Sequence, residues 1–162
     1  MELKIHQAKT YDEVEVGEEW QSAGRTVSEH DVLNFAELTG DFNPLHVDRE
    51  FATNTPYGQP IAHGLLGLAW VAGLQSGCPS MQTVAFTGVA DWKFLQPVFF
   101  GDTVHVVTRI LDKKPKGRQY GTILWEHKLV NQHGVTVQQG TFETMVKATV
   151  RKKADLPAAK AA

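Results

Sequence analysis

Residues 61–76, IAHGLLGLAWVAGLQS, leave the chain few architectures to choose from. From Gly64 onward the segment is apolar on nearly every side, and a helix of that kind must be covered all round. It is too short to cross a bilayer and is interrupted by His63, Gly64, Gly67 and Gly73, so its cover has to be protein. In one domain of 162 residues the economical cover is a sheet bent around the helix. Alternating segments that can supply it follow at 83–95, 102–111, 118–131 and 135–150. Pro97 with Gly101-Asp102, then Lys114 to Gly117, then His133-Gly134 punctuate them, so antiparallel pairing is expected. Several segments exceed the usual five or six residues, as a broad, strongly bent sheet requires. The expected fold is α+β, a long antiparallel sheet wrapped around a central apolar helix.

Ahead of that helix the chain reads as a polar, mobile lead-in over 1–17 and a weakly alternating first strand over 18–27. Ser28 followed by Asp31 resembles a capping box, which starts a helix there, and Gly40 is placed to end it in a left-handed conformation. Asp41 to His46 then reads as an irregular turn, because Pro44 lacks an N–H and pushes Asn43 toward extended backbone. Residues 48–53 suit one helical turn capped by Asp48, and Pro56, Gly58 and Pro60 make the next stretch loop. One domain over 1–150 is expected, followed by a charged, Ala-rich, disordered tail over 151–162.

Asp41 and His46 are the first candidates for chemistry. A carboxylate and an imidazole on one short turn can divide the proton transfers of an addition or elimination. The alternative is a turn-capping aspartate beside a surface histidine, but the Gly, Asn and Pro around the two suit a loop that aims side chains. His63-Gly64 is the second feature. If the apolar helix begins there, the Gly64 N–H is a free first-turn donor, and the helix dipole favours negative charge developing on an approaching carbonyl oxygen. The alternative is a glycine chosen for tight helix–sheet packing.

Other chemistries find little support. Sixteen basic and 18 acidic residues, net charge −2, imply no general affinity for nucleic acid or anionic membrane. Neither HExxH nor a cysteine knuckle is present, so no metal is expected, and there is no Walker loop or GxGxxG. Lys113, Lys114, Lys116 and Arg118 read as a solvated hairpin, with coenzyme A phosphates as the alternative partner. The N-terminus lacks a signal-peptide apolar region and Cys78 is alone, so a cytoplasmic location is expected.

Three stretches carry a resemblance: FAELTGDFNPLHVDREFA, IAHGLLGLAWVAGL and WKFLQPVFFGDTV. Together they resemble the MaoC-like, (R)-specific enoyl-CoA hydratases, over roughly residues 12–150. The resemblance implies a hot-dog fold assembled as a homodimer or higher homo-oligomer. It implies an acyl-CoA substrate, water as the second substrate, and no cofactor. Asp41 and His46 would activate the water, Gly64 would donate its N–H to the thioester oxygen, and Asn43 would orient the pair, with His63 in support. Phe42, Pro44, Leu45, Ala69 and Trp70 are the residues expected to contact substrate. Several (R)-specific hydratases carry a serine where this chain has Ala69, followed by the bulky Trp70, which leaves the accepted acyl group open. A branched or dicarboxylic acyl-CoA, thioester hydrolysis on the same scaffold, and a non-catalytic acyl-thioester-binding subunit are the alternatives.

Overall fold

The computed structural model describes residues 8–149. Helix α1, Glu29–Thr39, starts as its cap dictates: Ser28 Oγ accepts the Asp31 N–H at 3.1 Å, and the Asp31 carboxylate accepts the Ser28 N–H at 2.9 Å. It ends at Gly40, whose φ of 79° turns the chain while its N–H still reaches the Ala36 carbonyl. Of the stretch expected to be an irregular turn, residues 41–43 are irregular, whereas 44–46 belong to a one-turn helix, α2, Pro44–Val47. Asn43 caps it through Oδ1, which accepts the Leu45 N–H at 3.0 Å, and Pro44 sits in the first turn, where a missing N–H costs nothing. Helix α3, Arg49–Thr53, is capped by Asp48 as expected, and α4, Gly64–Gln75, begins at His63-Gly64.

The first strand is broken in two, β1 at Glu19–Gln21 and β2 at Arg25–Thr26. Four long strands follow: β3 (Thr83–Phe94), β4 (Thr103–Lys116), β5 (Tyr120–Val130) and β6 (Thr136–Lys147). All pairings between named strands are antiparallel, in the order β1-β4-β5-β6-β3, with β2 also on β4. The antiparallel pairing expected across Pro97 and Gly101-Asp102 is therefore corrected: β3 pairs with β6 and not with β4. The connecting residues 95–102 are held elsewhere: the Leu95 N–H goes to the Val137 carbonyl and the Ala62 N–H to the Val98 carbonyl, both at 2.8 Å. β4 also runs past its expected end, through Pro115. β1 reaches only Arg109, so the absent N–H of Pro115 lies where β4 has no second neighbour among the described residues.

The sheet wraps α4 in the hot-dog arrangement, burying Leu66, Gly67 and Val71 against Val106, Ile110, Ile123, Leu129, Val137 and Phe142. The cover is incomplete in the single chain, contrary to the all-round burial expected. Leu65, Ala69 and Gly73, spaced four apart on one face of α4, are exposed. The polar lead-in is corrected as well, since Tyr11 and Val14 belong to the core. The Tyr11 ring lies where a Cβ on Gly121 would stand, so that glycine is the slot for it. The expected disorder of 151–162, and the first seven residues of the lead-in, fall outside the described residues. No helix among the described residues is long and apolar enough to cross a membrane.

Candidate active site

α1 ends at Gly40 and α2 begins at Asn43, so Asp41 lies in the short gap between two capped helices. Its carboxylate accepts the Asn43 N–H at 3.3 Å. The cap on α2 in turn sets the direction of His46. That ring has Nδ1 2.7 Å from the Ile61 carbonyl, and because a carbonyl only accepts, the proton resides on Nδ1. In the neutral ring Nε2 therefore carries a lone pair and can act as a base. Burial lowers the pKa of His46 most. The bond to Ile61 opposes that, the neighbouring His63 adds to it, and Asp41 opposes it.

His63 stands behind the pair. It is 2% exposed, its ring centroid is 3.9 Å from that of His46, and the Phe35 ring lies on it at 5.1 Å. By the same reasoning Nε2 donates to the Asp41 backbone carbonyl at 2.9 Å, the Asp41 carboxylate being farther away at 3.9 Å. His63 thus pins the backbone that carries Asp41. Asp41, His46 and His63 each offer one ligand atom within 4.8 Å of the other two, a set in which a divalent ion could sit. The Nε2 of His63 is already engaged with a carbonyl, which leaves that set better arranged for proton transfer than for ligation.

The Gly64 N–H, first in α4, has no backbone partner among the described residues. The carbonyl of its own peptide, that of His63, accepts from Leu66 at 3.1 Å and Gly67 at 3.3 Å, which polarises the Gly64 N–H. The Phe94 ring rests on Gly64, where a Cβ would come within 2.9 Å of two ring carbons. Both readings of this glycine, close packing and an available donor, hold at once.

A cavity of about 470 Å³ opens at this point. His46 and Gly64 form part of its wall, together with Tyr57, Phe94, Pro97 and Gln138. Of the five residues expected to contact substrate, none lines it. Phe42 is half exposed, Pro44 and Leu45 shape α2, with the Leu45 carbonyl accepting the Ile61 N–H at 3.3 Å, Ala69 faces outward, and the Trp70 ring lies under the Arg25 guanidinium at 5.4 Å. The cavity wall comes instead from the 95–98 crossing and from β6. Sequence reasoning missed Tyr57, Phe94 and Gln138, because only the three-dimensional fold brings them to His46.

A family model described as MaoC like domain matches residues 13–131. A 3-hydroxybutyryl-CoA dehydratase of Methylorubrum extorquens is 35% identical over 96 residues, 59% of this chain and 60% of that protein. An (R)-specific enoyl-CoA hydratase of Aeromonas caviae is 38% identical over 91 residues, 52% of this chain and 65% of that one. The chain thus spans less than two thirds of the length of either relative. A solved structure described as a monoamine oxidase regulatory protein, from Archaeoglobus, superposes with a TM-score of 0.81 at 33% identity, covering 88% of this chain and 96% of that one.

Proposed function

The chain belongs to the MaoC-like domain family, and from that premise we propose that it is a hydro-lyase acting on acyl-CoA, an (R)-specific enoyl-CoA hydratase or the reverse 3-hydroxyacyl-CoA dehydratase. The observation that carries this is the convergence on one cavity. His46 and Gly64 share its wall, and the Asp41 carboxylate is within 4.8 Å of a His46 ring nitrogen. A trans-2-enoyl thioester whose carbonyl oxygen meets the Gly64 N–H presents C3 to a water held by Asp41 and His46. The pair takes one proton from the water as its oxygen bonds to C3. The π electrons move to the thioester oxygen, where the Gly64 N–H and the helix dipole stabilise the enolate. The pair then returns one proton to C2, giving the 3-hydroxyacyl thioester with nothing gained or lost but water. No cofactor enters this scheme, and coenzyme A is the carrier of the substrate.

The reading extends to assembly and place. Strand β3 ends the sheet and exposes Val84, Phe86 and Val89, which supports a homodimer joined along that face. A lone free Cys78 suits the cytoplasm. The decisive measurement follows loss of enoyl-thioester absorbance with crotonyl-CoA, longer straight chains, and branched or dicarboxylic enoyl-CoAs. Asp41→Asn and His46→Gln should each slow turnover by about a hundred- to ten-thousandfold. Release of free thiol instead would assign a thioesterase, and binding without turnover across the series a non-catalytic subunit.

A further inference from the structure

One side chain of the sheet is fastened to the first turn of α4. Gln138, on β6 and 3% exposed, donates from Nε2 to the Gly64 carbonyl at 3.1 Å, while its Oε1 accepts the Trp92 Nε1–H at 3.3 Å. Its amide occupies the place a Cβ on Gly67 would take, so Gly67 is the notch that admits it. Trp92 is seated in turn on Gly140, where a Cβ would come within 2.5 Å of the indole and 2.8 Å of the Trp92 backbone. β3 is bent to deliver that indole. Asp91 has a φ of 53°, the only positive value outside glycine among the described residues, and the β3–β6 register shifts between Ala90 and Lys93. Phe94 pairs with Gln138 across the strands, so ring and amide reach Gly64 together.

This is an expensive way to fill space. A helical carbonyl already accepts the N–H four residues on, so Gly64 does not need the amide, and an apolar side chain would avoid burying one. Two glycine notches and a left-handed non-glycine residue are spent on seating an amide against one peptide. We infer that Gln138, oriented by Trp92, is a positioning residue: by fixing the Gly64–Leu65 peptide it holds the Gly64 backbone, and with it the N–H of the preceding peptide, at the angle where that N–H meets the thioester oxygen. This rests on the hydratase reading for its catalytic consequence, though not for the clamp itself.

Gln138→Leu keeps the bulk and removes the donor, and Trp92→Phe leaves the amide but frees its orientation. Enoyl-CoA hydration kinetics on folded protein should show kcat reduced about ten- to a hundredfold in Gln138→Leu, with KM little changed, and a smaller loss in Trp92→Phe. In the substrate-free protein, the amide order parameter of Gly64 should fall from about 0.85 toward 0.6 while β5 amides stay rigid. A Gly64 amide as rigid in Gln138→Leu as in wild type overturns the inference whatever the kinetics, and so does an unchanged kcat. If wild type hydrates no enoyl-CoA yet Gly64 loosens in Gln138→Leu, the clamp stands and the hydratase reading falls.

Discussion

On the hydratase reading, the acid limb of the pH profile is set at His46. A proton fixed on Nδ1 by the Ile61 carbonyl leaves Nε2 basic, and burial, reinforced by His63, holds the ring below the ordinary histidine value of 6.5. Because the depressed pKa favours the neutral form, the base persists to lower pH than a free imidazole would. The pH profile of kcat/KM should therefore fall on the acid side with an apparent pKa below 6.5, and a limb centred above 6.5 contradicts this assignment. Gly64 offers a second test. An added Cβ has to displace the Phe94 ring, which is 54% exposed and can swing toward the cavity it lines. Gly64→Ala should leave thermal stability nearly intact and raise KM. Adding Phe94→Ala should recover much of that loss, a non-additivity read from a double-mutant cycle.

At the scale of elements, α2 carries His46 on a single turn, too short to hold itself. Its order depends on the Asn43 cap, worth about 1 kcal/mol. Asn43→Ala should cost about that much in denaturant titrations and lower kcat further than the stability loss explains, whereas Asn43→Asp, which keeps an acceptor, should retain most activity. Equal rates for the two variants would remove Asn43 from the positioning of His46. Features of this local kind were legible in the sequence. Ser28 with Asp31, Gly40, Asp48 and His63-Gly64 act within four residues of themselves, and each bounds a helix where expected. α2 was not legible, because Pro44 reads as a breaker unless Asn43 is known to cap the turn that it opens. The β3–β6 pairing, the seating of Tyr11 on Gly121, and the approach of Gln138 to Gly64 join residues in no local pattern.

 The separations run from 44 residues (Phe94 to Gln138), through 74 (Gly64 to Gln138), to 110 (Tyr11 to Gly121). Contacts at such range leave no periodicity or cap to read, which is why the cavity wall was beyond the sequence while the turn carrying Asp41 and His46 was not.

At the scale of the whole molecule, the sheet that wraps α4 carries a polar residue in its apolar floor. His127 on β5 is fully buried between the Trp125 and Phe142 rings, with Nδ1 3.0 Å from Thr108 Oγ1 and Nε2 unpartnered among the described residues. A charged imidazolium there would bring two N–H donors to a site that offers one hydroxyl, so burial drives its pKa down to about 3. In the unfolded chain the same ring titrates near 6.5. The unfolded state therefore binds the extra proton between those two values. The stability His127 confers is fully present above about pH 6.5 and is lost progressively as pH falls toward 3, by up to about 1.4 kcal/mol per pH unit. His46, also depressed, adds in the same direction. Asp31 acts only below the ordinary carboxylate value of 3.8: burial raises its pKa, but the bonds from Ser28 and Arg25 outweigh that and lower it. Urea titrations of wild type and His127→Leu from about pH 7.5 down to about pH 4.5 separate these contributions. The variant is expected to be less stable at neutral pH, where Thr108 loses its partner, yet much flatter across the acid range. Parallel curves for the two proteins would mean that the acid sensitivity of the fold arises elsewhere than at this buried ring.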